Sequence, residues 1–385
     1  MSPSQMPVKK ADVNGGVVIR EMWSPGARHG GDVMELAFSA DGLHLLAGAK
    51  NFAVRVWDIH LGAVELLAPP LAGSNEDGGY HAGHLSCDLV LHHTRGMLMP
   101  AGSATGGIIL WDAQEGGRRT ADLRNNGHEY GIPICHLAAY PTGDYFVSAD
   151  TTVMKVWSAD DLKCKRTMRS DFTVQILMVS ARGRYIFCAG QTEASRGVIA
   201  VWHGRPDKQP LRLLEGHGKS IRSLYAPNDP DVLVSTALDG RTKIWDVPTG
   251  TCVRTVWSKG TAQSQLAYAA LVNRGKWLLT ACDDGSLQVW GIGTGFSRCL
   301  LSLANKKTTI PAAAAATYNI RLAVSRCGRL LVVATGARLQ VVDFDKLADR
   351  SKAGRPGESG SYLRHALSFI TSPIRRPHSC TSSSS

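Results

Sequence analysis

The densest run of metal-binding side chains in the 385-residue chain is HAGHLSCDLVLHH (81–93), with His81, His84, Cys87, His92 and His93. Imidazole and thiolate donors of this kind suit a zinc ion. The segment reads, however, as a loop running into a strand, where successive side chains alternate between faces. Cys87, Leu89, Leu91 and His93 then share one face while His92 takes the other. This splits the donors, and the spacing is that of no zinc module. Two glycine clusters suggest phosphate binding. LLEGHGKS (213–220) ends like a phosphate loop, but such a loop needs glycine five residues before Gly218, where Leu213 stands. GIGTGF (291–296) follows a strand instead of opening a helix. Paired carboxylates, Asp160-Asp161 and Asp283-Asp284, fall at turns. No nucleophile elbow, H-E-x-x-H helix or kinase motif set accompanies them. No catalytic residue, metal ligand or cofactor is assigned, and the expectation is a protein that is not an enzyme.

The elements that would position any site repeat along the chain. Six short strands end in tryptophan: VRVWD (54–58), IILWD (108–112), MKVWS (154–158), AVWH (200–203), TKIWD (242–246) and LQVWG (287–291). Trp57, Trp111, Trp157, Trp202, Trp245 and Trp290 lie 54, 46, 45, 43 and 45 residues apart. That period suits one blade of a β-propeller better than a helical repeat. A seventh copy, LQVVD (339–343), has Val342 in the tryptophan's place. The fullest unit runs from Gly216-His217 through SIRSLY, a turn at NDPD, DVLVSTA, Asp239-Gly240 and RTKIWD.

This unit resembles the WD-repeat family, in which each blade is a four-stranded antiparallel sheet. The resemblance implies a hydrogen-bonded set of His217, Ser235, Asp239 and Trp245. A buried indole N–H and imidazole need such partners in any case. Other copies depart from the pattern. The first keeps His29 but has Ala47 and Asn51 at the serine and aspartate positions. The fourth and sixth have Ser170 and Ala262 at the histidine position, although the sixth retains Thr280 and Asp284. The resemblance spans roughly residues 16–345 and implies an all-β fold, one seven-bladed propeller. Its last copy lacks a fourth strand of its own. In the family an N-terminal strand commonly supplies it, and GVVIREMW (16–23) would do so here, covering edges that invite aggregation.

Three segments follow: residues 1–15, expected to be disordered; the propeller, 16–345; and a basic, Ser-rich, mostly disordered tail, 346–385. Within the tail, SYLRHALSFI (361–370) has the apolar spacing of a short helix. Nine scattered cysteines without a C-x-x-C pair point to a reducing compartment, cytoplasm or nucleus. No apolar stretch approaches a membrane span, so membrane insertion is not expected. The formal charge is +11, of which the tail contributes seven basic residues against two acidic. A basic balance admits nucleic acid, but no aromatic residues interleave with a basic run, and it is not the favoured partner.

The family resemblance implies a platform that binds one or more proteins, within a complex, rather than a small-molecule substrate. Binding is expected on the top face, where loops between blades and between second and third strands meet. The connections APPLAGSNEDGGYHAG (68–83), NKKTTIPAAAAATY (305–318) and QTEASRG (191–197) are long, and such loops carry binding residues on rigid scaffolds. Peptide-gripping family members use the residue two positions into the first strand, which here gives Met34, Asp88, Gln175, Arg222 and Ala267. They also use the residue before the turn aspartate, giving Lys50, Leu238 and Asp283. One alternative is a substrate receptor of a cullin-type ubiquitin ligase, a group that tends to carry Trp-Asp-x-Arg. WDIH, WDAQ and WDVP lack that arginine, and WHGR keeps Arg205 but has His203 for the aspartate. The other is an RNA- or ribonucleoprotein-associated propeller.

Overall fold

The structure is a computed structural model. It describes residues 20–22, 33–39, 42–49, 54–59, 64–68, 90–92, 96–102, 106–112, 118–123, 128–129, 132–204, 210–257, 265–272, 275–282, 287–292, 297–303, 320–335 and 338–344. The fold is an all-β propeller of antiparallel sheets, with consecutive strands paired in hairpin order. A short strand, β1 (Arg20–Met22), precedes the first sheet: β2 (Val33–Phe38), β3 (His44–Ala49), β4 (Val54–Asp58) and β5 (Val64–Ala68). The second holds β6 (Val90–His92), β7 (Gly96–Gly102), β8 (Ile108–Asp112) and β9 (Arg118–Asp122). The third holds β10 (His136–Ala139), β11 (Tyr145–Ala149), β12 (Val153–Ser158) and β13 (Cys164–Arg169). The fourth holds β14 (Thr173–Val179), β15 (Tyr185–Gln191), β16 (Gly197–His203) and β17 (Pro210–His217). The fifth holds β18 (Ile221–Tyr225), β19 (Val232–Ala237), β20 (Arg241–Asp246) and β21 (Thr251–Trp257). The sixth holds β22 (Leu266–Val272), β23 (Trp277–Cys282), β24 (Leu287–Ile292) and β25 (Ser297–Leu303).

The last sheet joins distant parts of the sequence. Its own strands are β26 (Ile320–Val324), β27 (Leu330–Thr335) and β28 (Arg338–Asp343), and β1 pairs antiparallel with β28, Glu21 opposite Gln340. Without β1, the N–H and C=O groups along that edge of β28 would face solvent or another chain.

Sheets stack face to face, and the stacking explains the sequence pattern. A strand covered on both faces has no solvent side, so it reads as a continuous apolar run. In β15, YIFCAGQ, every residue but the last is buried, whereas in β13, CKRTMR, only Met168 is. One cluster joins Val147, Val156 and Met168 of the third sheet to Leu177, Ile186 and Val198 of the fourth. Another joins Phe187, Ile199 and Leu214 of the fourth to Leu224, Leu233 and Trp245 of the fifth. Leu45 and Trp57 of the first pack with Val332 and Val341 of the last. Trp157 and Trp245 are 0% and 2% exposed, which makes each indole N–H a buried donor in need of an acceptor.

The first strands neighbour one another in order, β10 on β14, β14 on β18, β18 on β22, β22 on β26 and β26 on β2. Antiparallel hairpin order then sorts the connections by end. Turns between second and third strands, and links from one sheet to the next, lie at one end, the top. Turns between first and second, and third and fourth, lie at the other, the bottom. Of the long connections expected at the top, 191–197 is a turn closed by the Thr192 N–H donating to the Arg196 carbonyl (3.0 Å). The connections at 69–83 and 305–318, residues 1–15 and the tail at 346–385 lie outside the described residues.

Candidate functional site

His217 ends β17, the outer strand of the fourth sheet, yet its ring bonds into the fifth. Nε2 lies 2.7 Å from Ser235 Oγ and Nδ1 3.1 Å from Asp239 Oδ2, while Trp245 Nε1 donates to Ser235 Oγ at 2.8 Å. Asp239 also accepts from the backbone N–H of Gly218 (2.8 Å) and Arg241 (2.9 Å). Burial alone would raise the Asp239 carboxyl, but the His217 ring and those two N–H groups hold it below its ordinary value. Gly240 supplies the positive φ, 74°, that closes the turn behind it.

A second set of the same kind, which the sequence reading missed, ties the third sheet. His128 Nε2 is 2.7 Å from Ser148 Oγ, His128 Nδ1 is 2.6 Å from Asp150 Oδ2, and Trp157 Nε1 donates to Ser148 Oγ at 2.9 Å. Asp150 Oδ1 accepts from the N–H of Thr152 and Val153. Gly127-His128 was the available signal, since it matches Gly216-His217. Spacing hid the rest: serine and aspartate are two residues apart here and four apart in the fifth sheet. Burial lowers the His128 pKa, only partly offset by Asp150. Burial would raise the Asp150 carboxyl, but the Thr152 and Val153 N–H groups and the His128 ring hold it low.

The order Ser, His, Asp within hydrogen-bond reach is also that of a hydrolytic triad. Ser148 and Ser235 are each 0% exposed and already accept an indole N–H. No substrate carbonyl can reach either hydroxyl, so the sets hold sheets together and position the turns above them.

The fourth sheet lacks such a set. Ser170 caps a local turn, its Oγ accepting from the Phe172 N–H at 3.2 Å. Cys188 stands where the serine would be. Trp202 Nε1 makes no conventional hydrogen bond and faces the Cys188 thiol, whose pKa burial pushes up to about 12. In the sixth sheet Trp290 Nε1 donates to Thr280 Oγ1 at 3.1 Å. His29, Asn51, Ala262 and Asp284 lie outside the described residues.

Four of the partner-binding residues expected from the sequence share one backbone feature. In the fourth sheet Val174 pairs with Gly190 and Ile176 with Ala189, leaving Gln175 as the extra residue of a β-bulge. Arg222 is skipped in the same way between Ile221 and Ser223, Ala267 between Leu266 and Tyr268, and Met34 between Val33 and Glu35. A bulge bends the strand and re-aims the inserted side chain. Each lies near the top of a first strand. Arg222 is exposed, Gln175 and Ala267 half-buried, and Gln175 Oε1 accepts from Ser220 Oγ of the fifth sheet at 2.5 Å. Leu238, half-buried, precedes Asp239 and its N–H donates to the Ser220 carbonyl at 2.9 Å. Lys50, Asp88 and Asp283 lie outside the described residues, as do His81, His84, Cys87 and His93. Among the described residues, no group of three or more His, Cys, Asp or Glu is arranged to hold a metal ion, and no helix is long and apolar enough to cross a membrane.

The family model for the WD domain, G-beta repeat, matches residues 26–58, 208–246 and 250–291. Among curated proteins, the chain is 27% identical over 184 residues to the nuclear distribution protein PAC1 of Arthroderma otae, covering 45% of the chain and 39% of the relative. It is 26% identical over 153 residues to the nuclear distribution protein nudF of Aspergillus niger, covering 39% and 33%. It is 23% identical over 241 residues to WD repeat-containing protein 18 of Bos taurus, covering 61% and 45%. The chain thus spans less than half the length of these relatives. Tryptophan-terminated strands, His–Ser–Asp–Trp sets seated between antiparallel sheets, and three matching repeats agree: the chain belongs to the WD-repeat family.

Proposed function

We propose that the protein is a non-catalytic scaffold or adaptor subunit, working inside the cell in cytoplasm or nucleus, that binds a protein partner through its top face. The domain is one seven-bladed ring over residues 16–345, closed by the strand that contains β1, and flanked by segments outside the ring. The observation that carries the binding assignment is the recurrence of a bulge at Met34, Gln175, Arg222 and Ala267. A ladder irregularity kept at one level of separate first strands has no packing purpose common to a Met, a Gln, an Arg and an Ala. It is accounted for if these strands present whatever side chain stands there to a ligand over the mouth of the ring. The turns beside Gln175 and Arg222 rest on the buried Asp150 and Asp239 networks, so that part of the surface is preorganised and little ordering entropy is lost on binding.

The test is affinity purification of the full chain beside the double charge reversal Lys50→Glu with Arg222→Glu. The variant is expected to stay folded and lose the principal interactors. An unchanged interactor set, with the variant folded, would move the binding surface off the top face.

A further inference from the structure

The turn from β26 to β27, at 325–329, is bonded to sheets that are not its neighbours. In the ring proposed above, the last sheet adjoins the sixth and the first, and β26 packs against β22 and β2. The turn nevertheless reaches the fifth sheet and the fourth. Tyr225 Oη, at the lower end of β18, donates to the Ser325 carbonyl at 2.8 Å, and the Asn228 N–H donates to the Arg326 carbonyl at 2.8 Å. Arg326 Nη2 donates to the carbonyl of Val179, the last residue of β14, at 3.0 Å. Towards the sixth sheet, the Val324 N–H donates to Tyr268 Oη at 3.2 Å.

Close packing holds the turn in that place. Ser325 is buried, and its carbonyl also accepts from the Gly328 N–H at 2.7 Å, which keeps the turn tight. A Cβ built on Gly328 would lie 2.7 Å from the Leu271 carbonyl oxygen, and the φ there is 68°, so both the approach to the sixth sheet and the backbone require glycine. Tyr225 of the fifth sheet, Leu271 and Leu278 of the sixth, and Val324 and Leu331 of the last share one buried apolar cluster. First strands line the centre of a propeller. A turn bonded at the lower ends of β14 and β18 and packed against that of β22 therefore lies across the bottom of that centre, not along the rim.

We infer that this turn is a bolt, a second closure of the ring that acts from inside and holds without β1. The inference rests on the ring reading above. Pairing of β1 with β28 fastens the last sheet to the N-terminal segment through Arg20, Glu21 and Met22, opposite Val341, Gln340 and Leu339. Those are three residue pairs among the described residues, against six between β27 and β28, so the strand by itself is a short fastening. The bolt ties the same sheet to the fourth, fifth and sixth through Val179, Tyr225, Asn228 and Tyr268, and it shares no residue with the β1 pairing. Loss of β1 then frees an edge of β28 but not the sheet, and the fourth to the last sheets stay one body.

Residue-resolved hydrogen exchange on the full chain and two kinds of variant tests this. The Asn228 N–H reports the bolt, and the β28 amides that face β1 report the strand pairing. In the chain lacking residues 16–23 those β28 amides should exchange fast, while Asn228 stays as protected as in the full chain. Arg20→Pro with Glu21→Pro gives the same reading at full length should the truncation fail to fold, because one of two consecutive N–H groups points at β28 and both are removed. Its hydrodynamic radius should match that of the full chain. Tyr225→Phe with Arg326→Ala should speed exchange at Asn228 at least about tenfold and leave the β28 edge as it was. Three results would overturn the bolt: Asn228 released by loss of β1 as fully as by the Tyr225 and Arg326 changes, exchange at Asn228 unmoved by those changes, or an expanded radius in the proline variant. The full chain separates failure of the bolt from failure of the ring reading. A β28 edge that exchanges fast there, with Asn228 protected, removes closure by β1 and leaves the bolt as the fastening; fast exchange at both removes both.

Discussion

Top and bottom of the sheets are built from similar residues to different ends. The bottom is sewn by cation-to-carboxylate and turn-to-turn bonds. Besides Arg184–Asp231, Tyr225 Oη donates to the Ser325 carbonyl at 2.8 Å, the Asn228 N–H to the Arg326 carbonyl at 2.8 Å, and Arg326 Nη2 to the Val179 carbonyl at 3.0 Å. A turn of the last sheet thus reaches both the fifth and the fourth. At the third and fifth sheets the top is held from beneath, by imidazole, hydroxyl, carboxylate and indole in buried sets. The lesson is that the two ends are fixed by different means: surface ion pairs and carbonyl bonds between turns below, buried side-chain networks beneath the turns above.

Breaking the scaffold should cost more than breaking either surface. Deleting residues 16–23 removes β1 and bares the β28 edge, and a marked fall in melting temperature is expected. An unchanged melting temperature in a soluble, monomeric truncation would contradict closure by that strand. His128→Ala and His217→Ala each leave a buried hydroxyl and carboxylate short of a partner, a loss of about 1–3 kcal/mol, measured by urea unfolding. His128 should be the more costly, since its bond to Asp150 is 2.6 Å against 3.1 Å for His217 to Asp239. Ser170→Ala, in the sheet without a set, should stay within about 0.5 kcal/mol.

The comparison sharpens with pH. Because the folded-state pKa of His128 is lowered, the unfolded chain takes up the proton first as pH falls. Stability should be full above the ordinary histidine value of about 6.5 and decline below it. Asp150, also lowered, extends the decline into the acid range, from about the ordinary aspartate value downward. Replacing His128 with Gln should flatten the upper part of the profile, and a wild-type profile flat between pH 7 and 5 would contradict the assignment. The smallest effect belongs to the bottom surface. Arg184→Gln removes a half-exposed ion pair, and the loss should be under about 1 kcal/mol and shrink with added salt.

Much of the framework was legible in the sequence because it is repeated. Tryptophan at a steady period marks the third strand of a unit, and buried indoles explain why that residue recurs. The set around His217 was legible since its members sit at familiar offsets. The set around His128 was not, because a change of position for serine and aspartate by one residue each keeps the bonds while breaking the pattern. The bulges at Gln175, Arg222 and Ala267 were invisible for another reason: an inserted residue changes pairing register, which only cross-strand geometry reveals.

The central claim is that partners sit on the top, and hydrogen exchange on the complex with a captured partner tests it most directly. Slowed exchange on binding is expected at 191–197, 217–222 and 238–241, with 181–184, 226–231 and 326–329 unchanged. Protection confined to the bottom turns, with the top turns exchanging as in the free protein, would contradict it.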